Sequence, residues 1–487
     1  MNILIASVFS IDSYSRGIMP DVLQSQLDKY PDANIHYLTC SNTFDVCYFN
    51  IHKKPDVCYR CKTGVENTLE LVSGNFNHLK ISDIISAENK QKAASFFSDK
   101  PIIDFNHTFE DFEVGAATLS TYISRSRDRD LHDVDQAYVK ELAINALSLY
   151  LSLQGFLERE KIDLVYNFNG RQDYVRAVMR ASLSKDIDCY NVERARFGGN
   201  IEFYKNVLPH NIRYKANLVE QCWRESELSE TEKDEIGANF FDRQKLGESI
   251  IFPSYTQGMA KEEVPDYLSN GNKNIVLFNS SDDEFAAMGE EYKNPFFKNQ
   301  NEGLEFLSEL FRERLKNYNL IIRMHPNLAG VEHKYVEEII ELHQQYPNIF
   351  VVIPESKIDS YALMERAYKV ISFGSTTGLE ANFFRKPVIL LGKGIYFYSE
   401  VAYIPENKGE IEGLLKADLQ PKPILNSLKF GYYFLMGGTK SLYYNEDKMG
   451  EGIFFKEKRI HSYSISQRIK AKIIQKAYKH SNLRLKF

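Results

Sequence analysis

The sequence predicts a mixed α/β protein made of two Rossmann-like, doubly wound domains, each a parallel sheet covered by helices. Three observations carry that reading. Short apolar runs alternate with longer stretches whose apolar residues recur every three or four positions. The alternation gives way after about Glu225 to a charged stretch marked by Pro253 and Gly258–Pro265, then restarts at Asn274. In the second half the apolar runs end in small polar loops, as strands do at the carboxyl edge of an open parallel sheet.

Taken in order, Met1–Val8 reads as a buried first strand. Ile18–Tyr30 has helical spacing, with Pro20 in its first turn, where a missing N–H costs nothing. Asn34–Thr39 is a second strand, followed by an irregular cysteine-containing region to about Gly64. Asp135–Glu160 is a long helix, because Tyr138, Leu142, Leu149, Leu153 and Phe156/Leu157 share a face. Ile162–Phe168 is a strand, Tyr174–Leu183 a helix, Asp188–Val192 a strand and Ser229–Lys245 a helix. A domain boundary near 250 follows, giving domains 1–250 and 251–430 and a C-terminal helical segment 431–487. In the second domain the predicted strands are Asn274–Asn279, Leu320–Pro326, Ile349–Ile353, Val370–Phe373 and Pro387–Leu391. Helices are predicted at Gly303–Tyr318, Val336–Tyr346 and Ser360–Ala367, and from near Thr377.

Composition sets further bounds. The 487 residues are 43% hydrophobic and 26% charged, ordinary for a globular chain long enough to bury several cores without disulfides or metal. No apolar run reaches the ~18 residues of a spanning helix. The N-terminal apolar run lacks a basic flank and is short for a signal segment, so the expected location is the cytoplasm. The net charge of −6 hides an asymmetry. From Lys456 to Phe487 there are ten Lys/Arg and one acid, Glu457, a charge of +9 that leaves −15 on the remaining chain. Within that tail Ile465, Ile469, Ile473 and Ala477 are spaced by four, with Arg468, Lys470, Lys472, Lys476 and Lys479 around them. This is an amphipathic basic helix, suited either to an anionic membrane surface or to packing against the acidic body. Nucleic acid is not expected, because no aromatic-interleaved basic groove accompanies the tail.

Three strand-end loops carry polar residues and should line one crevice. The first is Phe373-Gly374-Ser375-Thr376-Thr377-Gly378-Leu379-Glu380. Its glycines allow close approach of a ligand, and its hydroxyls and helix start suit a phosphate. The same residues also read as a plain capping box, with Glu380 three residues after Thr377. The second is Arg323-Met324-His325-Pro326: Arg offers a fork to a phosphate and His a donor near neutral pH. The third is Asn279-Ser280-Ser281-Asp282-Asp283, equally an ordinary helix cap. In the first domain Asn167-Phe168-Asn169-Gly170-Arg171 and Val192-Glu193-Arg194 end two strands. Cys40-x6-Cys47-x10-Cys58-x2-Cys61 contains one CxxC half-site, so a structural zinc and a set of buried thiols are both open.

Together the strand-Ser-Ser, Arg-x-His-Pro and Gly-Ser-x-x-Gly-x-Glu-Ala loops resemble the nucleotide-sugar domain of bacterial capsule polysaccharide glycosyltransferases. These are of the GT-B type, similar to Kdo and sialic acid transferases and to the glycerophosphotransferases of wall teichoic acid. The resemblance spans about Asn274 to Leu391. It implies two Rossmann-like domains facing across a cleft, an inverting transfer that needs no metal, and a nucleotide-sugar donor with a CMP, UDP or GDP carrier. By it, His325 and Ser375 contact the donor phosphate, with Ser280, Ser281, Gly374, Thr376 and Thr377 around it. Glu380 holds the ribose, and Arg323 supports the loop or the leaving group. Asn169, Arg171, Glu193 and Arg194 are the matching acceptor-side residues, and a glycan or lipid-linked glycan is the acceptor. The general base must come from the first domain. Asp12 is preferred by position, ahead of Asp173 and Glu193. The acidic pair that supplies the base in some relatives has no clear counterpart here. Rival readings are a CDP-alcohol phosphotransferase, a nucleotide-sugar 2-epimerase and a non-catalytic assembly scaffold. Peripheral attachment to the inner face of the membrane would follow from the basic tail.

Overall fold

The computed structural model describes residues 1–11, 13–196, 198–248, 265–345, 347–447, 452–460 and 463–484. The chain divides into two compact units. Unit 1 comprises Met1–Ser126, Leu131–Pro209 and Gly438–Phe487, and unit 2 comprises Arg127–Asp130 and His210–Gly437.

Unit 1 is built on β1 (Asn2–Ser7), β2 (Asn34–Thr39), β3 (Asn77–Lys80), β4 (Leu164–Phe168), β5 (Asp188–Arg194) and β6 (Asn200–Lys205). The order across the sheet is β3-β2-β1-β4-β5-β6, and a two-residue strand, Thr439–Lys440, closes the edge beside β6. β1 to β5 run parallel, β6 is antiparallel to β5, and the last strand is antiparallel to β6. Side chains alternate between faces along a strand. Leu4 and Ala6 of β1 therefore enter one core, with Leu142, Leu149, Leu153 and Phe156 of helix Gln136–Arg159. Ile3 and Ile5 enter the other, with Ile18, Val22 and Leu23 of helix Ser13–Lys29. The ends of the long helix fall where the sequence puts them. The Asp135 carboxylate caps it by accepting from the Tyr138 N–H at 3.0 Å.

Two local expectations in unit 1 are corrected. The first helix begins at Ser13, so Pro20 lies inside it and not in its first turn. The region around Cys58, Cys61 and Gly64 is not irregular: it is helix Pro55–Leu69, opened by Pro55 in its first turn. The C-terminal part of the chain completes this unit. Tyr444–Glu446, Ile453–Phe455 and Lys458–Arg459 form a small antiparallel sheet. Its Tyr444, Ile453 and Phe455 pack into the same core as Ile3 and Ile5. Asp21 on the first helix fixes the approach, accepting from the Ser441 hydroxyl and the Tyr443 and Tyr444 N–H groups at 2.6, 2.6 and 2.9 Å.

Unit 2 has β7 (Lys273–Phe278), β8 (Tyr318–Arg323), β9 (Ile349–Val352), β10 (Lys369–Ser372) and β11 (Val388–Leu390). All are parallel, in the order β11-β10-β7-β8-β9. Ile275 and Leu277 face helices Gln300–Glu313 and Lys334–Gln345 through Leu304, Leu307, Phe311 and Ile339. Val276 and Phe278 face the other way, toward Phe241, Met364, Leu379 and Phe430. Each unit is thus a doubly wound α/β fold, as the sequence predicts.

The boundaries differ from those predicted at 250 and 430. Helices Ile212–Glu225 and Glu230–Lys245, expected in the first domain, belong to unit 2, and unit 2 ends at Gly437. The reason is a close helix crossing. Helix Leu425–Met436 lies so near helix Glu230–Lys245 that a Cβ on Gly431 would sit 2.3 Å from the Gly237 carbonyl oxygen. Trp223, Leu428 and Tyr432 fill the space beside it. Gly431→Ala should therefore force the two backbones apart and cost ~1–3 kcal/mol in urea-induced unfolding. An unchanged midpoint would show that the crossing relaxes freely.

Candidate functional site

In unit 2 the connection from β7 leads to β8 on one side of the sheet, while β10 lies on the other. The boundary between β7 and β10 is therefore the topological switch point, where ligands bind outside the carboxyl ends of an open α/β sheet. The three predicted loops leave β7, β10 and β8 at this edge. Ser280 is buried, with its hydroxyl 3.3 Å from the Phe373 carbonyl and its N–H 3.0 Å from Gln300 Oε1, so it ties the first two loops together. Ser281 occupies the N-cap position of helix Asp282–Met288 without a side-chain cap bond, and its hydroxyl is buried without a hydrogen-bond partner among the described residues.

His325 is half-buried and fixed from two sides. Its N–H donates to Asn279 Oδ1 at 2.6 Å, and its Nδ1 accepts from the Asn327 N–H at 3.1 Å. Burial, helped by the nearby Arg323 cation, pulls its pKa down to about 4. The ring is neutral at pH 7, and with Nδ1 accepting it carries its proton on Nε2 as a donor.

The glycines of the β10 loop are required by the protein's own packing. Gly374 has φ +97°, and a Cβ there would meet the Lys393 carbonyl at 2.2 Å. A Cβ on Gly378 would meet the Tyr396 hydroxyl at 2.0 Å, and that hydroxyl lies 2.8 Å from the Ser375 carbonyl. Ser375 Oγ accepts from the Thr377 hydroxyl at 2.9 Å, and Thr376 stands half-buried at the helix start with no side-chain cap bond. No capping box forms. Glu380 Oε2 instead accepts from the Tyr361 hydroxyl at 2.5 Å.

Arg323 is corrected as a phosphate ligand. It is buried, and its guanidinium donates to the carbonyls of Ile353 and Ser356 at 2.7 and 3.4 Å and to the Ser360 hydroxyl at 3.4 Å. Burial lowers its pKa to about 10, opposed by Asp359 and Glu355. It holds the loop after β9, the supporting role that the resemblance allows.

Sequence reasoning missed two residues at this edge. Arg127 chelates the buried Asp283 carboxylate and donates to the Asn327 carbonyl at 3.1 Å. Arg129 donates to Asp282 at 2.6 Å and Asn301 at 3.1 Å, and lies over the Tyr335 ring. It also binds Asp130 through two bonds of 3.1 and 2.8 Å. Burial alone would lower both arginines, but the bound carboxylates more than offset it and raise them. The two are far from the loops in sequence and sit in a polar run, so no local signal marked them.

In unit 1 the ends of β4 and β5 bring Asn169, Arg171 and Glu193 together. Asn169 bonds Glu193 at 2.5 Å and accepts from the Arg171 N–H at 3.1 Å. Arg171 reaches the Ser124 hydroxyl at 3.3 Å. Arg194 does not join them as an acceptor ligand: it forms a buried pair with Glu446 at 2.9–3.0 Å. Asp173 is corrected as a base candidate. It is fully buried, takes a bond from the Thr121 hydroxyl at 2.7 Å, and is pushed up to about 7 by burial. Asp12 lies outside the described residues. The four cysteines line a small, largely apolar cavity of about 30 Å³. Burial raises every one of their thiols, Cys61 to about 12. Among the described residues no group of three or more His, Cys, Asp or Glu is arranged to hold a metal ion.

The fold and site define a class: a twin doubly wound α/β protein with polar residues gathered at the switch point of its second sheet. Residues 251–403 match the family described as capsule polysaccharide biosynthesis protein, in agreement with the resemblance seen in the sequence. The match takes in under a third of the chain and contains all three loops. None of the curated proteins matches. Among solved structures, the chain is similar to the β-Kdo 2,7 transferase of Thermosulfurimonas dismutans KpsC, with 13% identity, TM-score 0.37, and coverage of 67% of this chain and 89% of that one. The β-Kdo 2,4 transferase of the same protein gives 10% identity, TM-score 0.37, and coverage of 55% and 78%. A UDP-GlcNAc 2-epimerase of Methanocaldococcus jannaschii gives 13%, 0.30, and coverage of 89% and 98%.

The His325 geometry has a pH consequence. The ring should stay neutral, with its proton on Nε2, from pH 8 down to pH 5 in ¹⁵N NMR. Its folded pKa, about 4, lies below the unfolded value, so the unfolded state binds more protons in between. Stability from this residue is present above about pH 6.5 and falls as pH drops toward 4, a dependence that His325→Gln should remove from the unfolding profile.

Proposed function

We propose that this chain is a GT-B glycosyltransferase of surface polysaccharide synthesis, taking a nucleotide-sugar on unit 2 and a glycan acceptor on unit 1. The observation that carries the reading is that the capsule-biosynthesis match falls on the segment bearing the switch-point loops. The chemistry of the loops supports it. As the glycosidic bond breaks, the leaving phosphate gains negative charge, and fixed donors aimed at that charge lower the barrier. A neutral Nε2–H on a ring held at both backbone and Nδ1 is such a donor. The Ser281, Ser375, Thr376 and Thr377 hydroxyls, with Ser280 joining the loops, supply the remaining polar wall. Glu380, oriented by Tyr361, is assigned to the ribose.

The acceptor is assigned to Asn169, Arg171 and Glu193, and the base to Asp12, which would take the hydroxyl proton as the sugar is transferred with inversion. The transfer is proposed to run without a metal. The Asp128-Arg129-Asp130 triplet has the spacing of a metal-diphosphate bridge, but Asp130 is engaged by Arg129.

A thermal-shift panel of CMP, CDP, UDP and GDP names the donor carrier: a ligand at 100 times its Kd stabilises by ~2.7 kcal/mol. With the donor in hand, His325→Ala should lower kcat by ~10²–10³, because the bond it removes strengthens in the transition state. Glu380→Ala should chiefly raise the donor KM, since the ribose is held equally before and during transfer. Asp12→Asn should abolish transfer while leaving the nucleotide-induced shift intact. Activity should survive EDTA. Silence toward all four nucleotides, or an EDTA loss restored by magnesium or manganese, would overturn the donor assignment or the metal-free step respectively.

A further inference from the structure

The helix Ile465–Arg484 lies against unit 1 by one face only. Gln467 exchanges amide hydrogen bonds with Asn67 of helix Pro55–Leu69, at 3.2 and 2.9 Å. Ala471 is buried in the contact, and the Tyr478 hydroxyl donates to the His52 carbonyl at 3.0 Å. At 3.6 residues per turn Ile469 stands about 160° around the helix from Ala471. The side facing away from the body is thus centred on Ile469, with Ile465 and Ile473 one turn to either side. Their exposures are 78%, 53% and 60% for Ile465, Ile469 and Ile473. Three exposed isoleucines in one stripe, on a helix already docked through its opposite face, form an apolar surface that the fold leaves uncovered.

The rim of that stripe is cationic. Arg468, Lys472 and Lys479 flank it on one side, Lys470 on the other, and Lys476 lies within it; all five are exposed. The helix contains no Asp or Glu. Among the described residues none of these five cations is ion-paired with a carboxylate, so the acidic body does not absorb the charge of this helix. A second copy of the chain would bring one cationic rim against another. A nucleic acid would leave the isoleucines without a partner. Anionic lipid answers both features, with headgroups for the cations and the acyl boundary for the stripe.

We propose that helix Ile465–Arg484 is a membrane-surface foot, lying in the plane of an anionic leaflet with Ile465, Ile469 and Ile473 inserted. The proposal is independent of the transferase assignment, since none of its residues belongs to the switch-point site. Co-sedimentation of the full chain with phosphatidylcholine vesicles, with and without phosphatidylglycerol, tests it. Wild type should pellet with the anionic vesicles, not with phosphatidylcholine alone, and binding should weaken as salt rises. The triple variant Ile465→Ser, Ile469→Ser, Ile473→Ser should lose binding by ~10-fold or more while melting as wild type does, because the three side chains stand largely in solvent. Lys472→Glu with Lys476→Glu should abolish the preference for phosphatidylglycerol. Equal binding by wild type and triple variant would overturn the proposal, as would no binding to anionic vesicles. A wild-type dimer that the triple variant dissociates would place a second copy on the stripe and overturn it as well.

Discussion

A parallel strand cannot return to its neighbour without a crossover, and that constraint organises both units. Each crossover places helices over a sheet face, so the central strands are buried on both sides and are predominantly apolar. Ile3, Leu4, Ile5 and Ala6 in β1, and Ile275, Val276, Leu277 and Phe278 in β7, are continuous for that reason. The same constraint sends every strand of a parallel sheet to one edge with its carboxyl end. Polar residues forbidden to the strands collect in the loops there. The site at β7, β8 and β10 is the consequence of how the sheet is wound, before any chemistry is considered.

This is also why so much of the fold was legible. A doubly buried strand leaves a largely apolar run, and Ile35, Tyr37 and Leu38 mark Asn34–Thr39, whose bounds match the sequence reading. The long helix Gln136–Arg159 has a wide apolar face and an acidic cap, and both are written locally. Two of the elements that escaped lack a buried apolar signature. β3 reads Asn-His-Leu-Lys on an edge and is mostly exposed. Helix Ala87–Phe96 buries only Ala93 along its length. The unit boundary escaped for a different reason. It depends on Gly237 meeting Gly431, and two glycines far apart in sequence carry no sign of their encounter.

The candidate site divides along the same line. His325, Ser280, Ser281 and Ser375 could be named because a strand end followed by a small polar loop is a local pattern. Their roles could not all be read. Gly374 and Gly378 look alike in sequence whether a phosphate or the Lys393 backbone and Tyr396 hydroxyl comes close, and here the protein does. Arg323 looks like an anion fork until its carbonyl partners are seen. Arg127 and Arg129, in turn, take their meaning only from Asp283 and Asp282, which are distant along the chain. Backbone placement was a local matter, and side-chain commitment was a tertiary one.

That commitment determines what the site can offer an anion. A buried arginine whose donors are spent on carbonyls or carboxylates adds field but no free fork, because breaking a buried pair leaves an uncompensated charge. Arg323 and Arg129 are of this kind, and Arg127 is partly so, with Asp283 beneath it. Burial, joined by the field of Arg323 and Arg127, keeps His325 neutral, and with Nδ1 accepting, its proton lies on Nε2. A neutral donor costs less to desolvate than an imidazolium would. Arg323 and Arg127 thus act in the same direction as burial on the protonation state of one histidine. The hydroxyls of Ser281, Ser375, Thr376 and Thr377 give the surrounding wall its hydrogen-bonding capacity without adding to its charge.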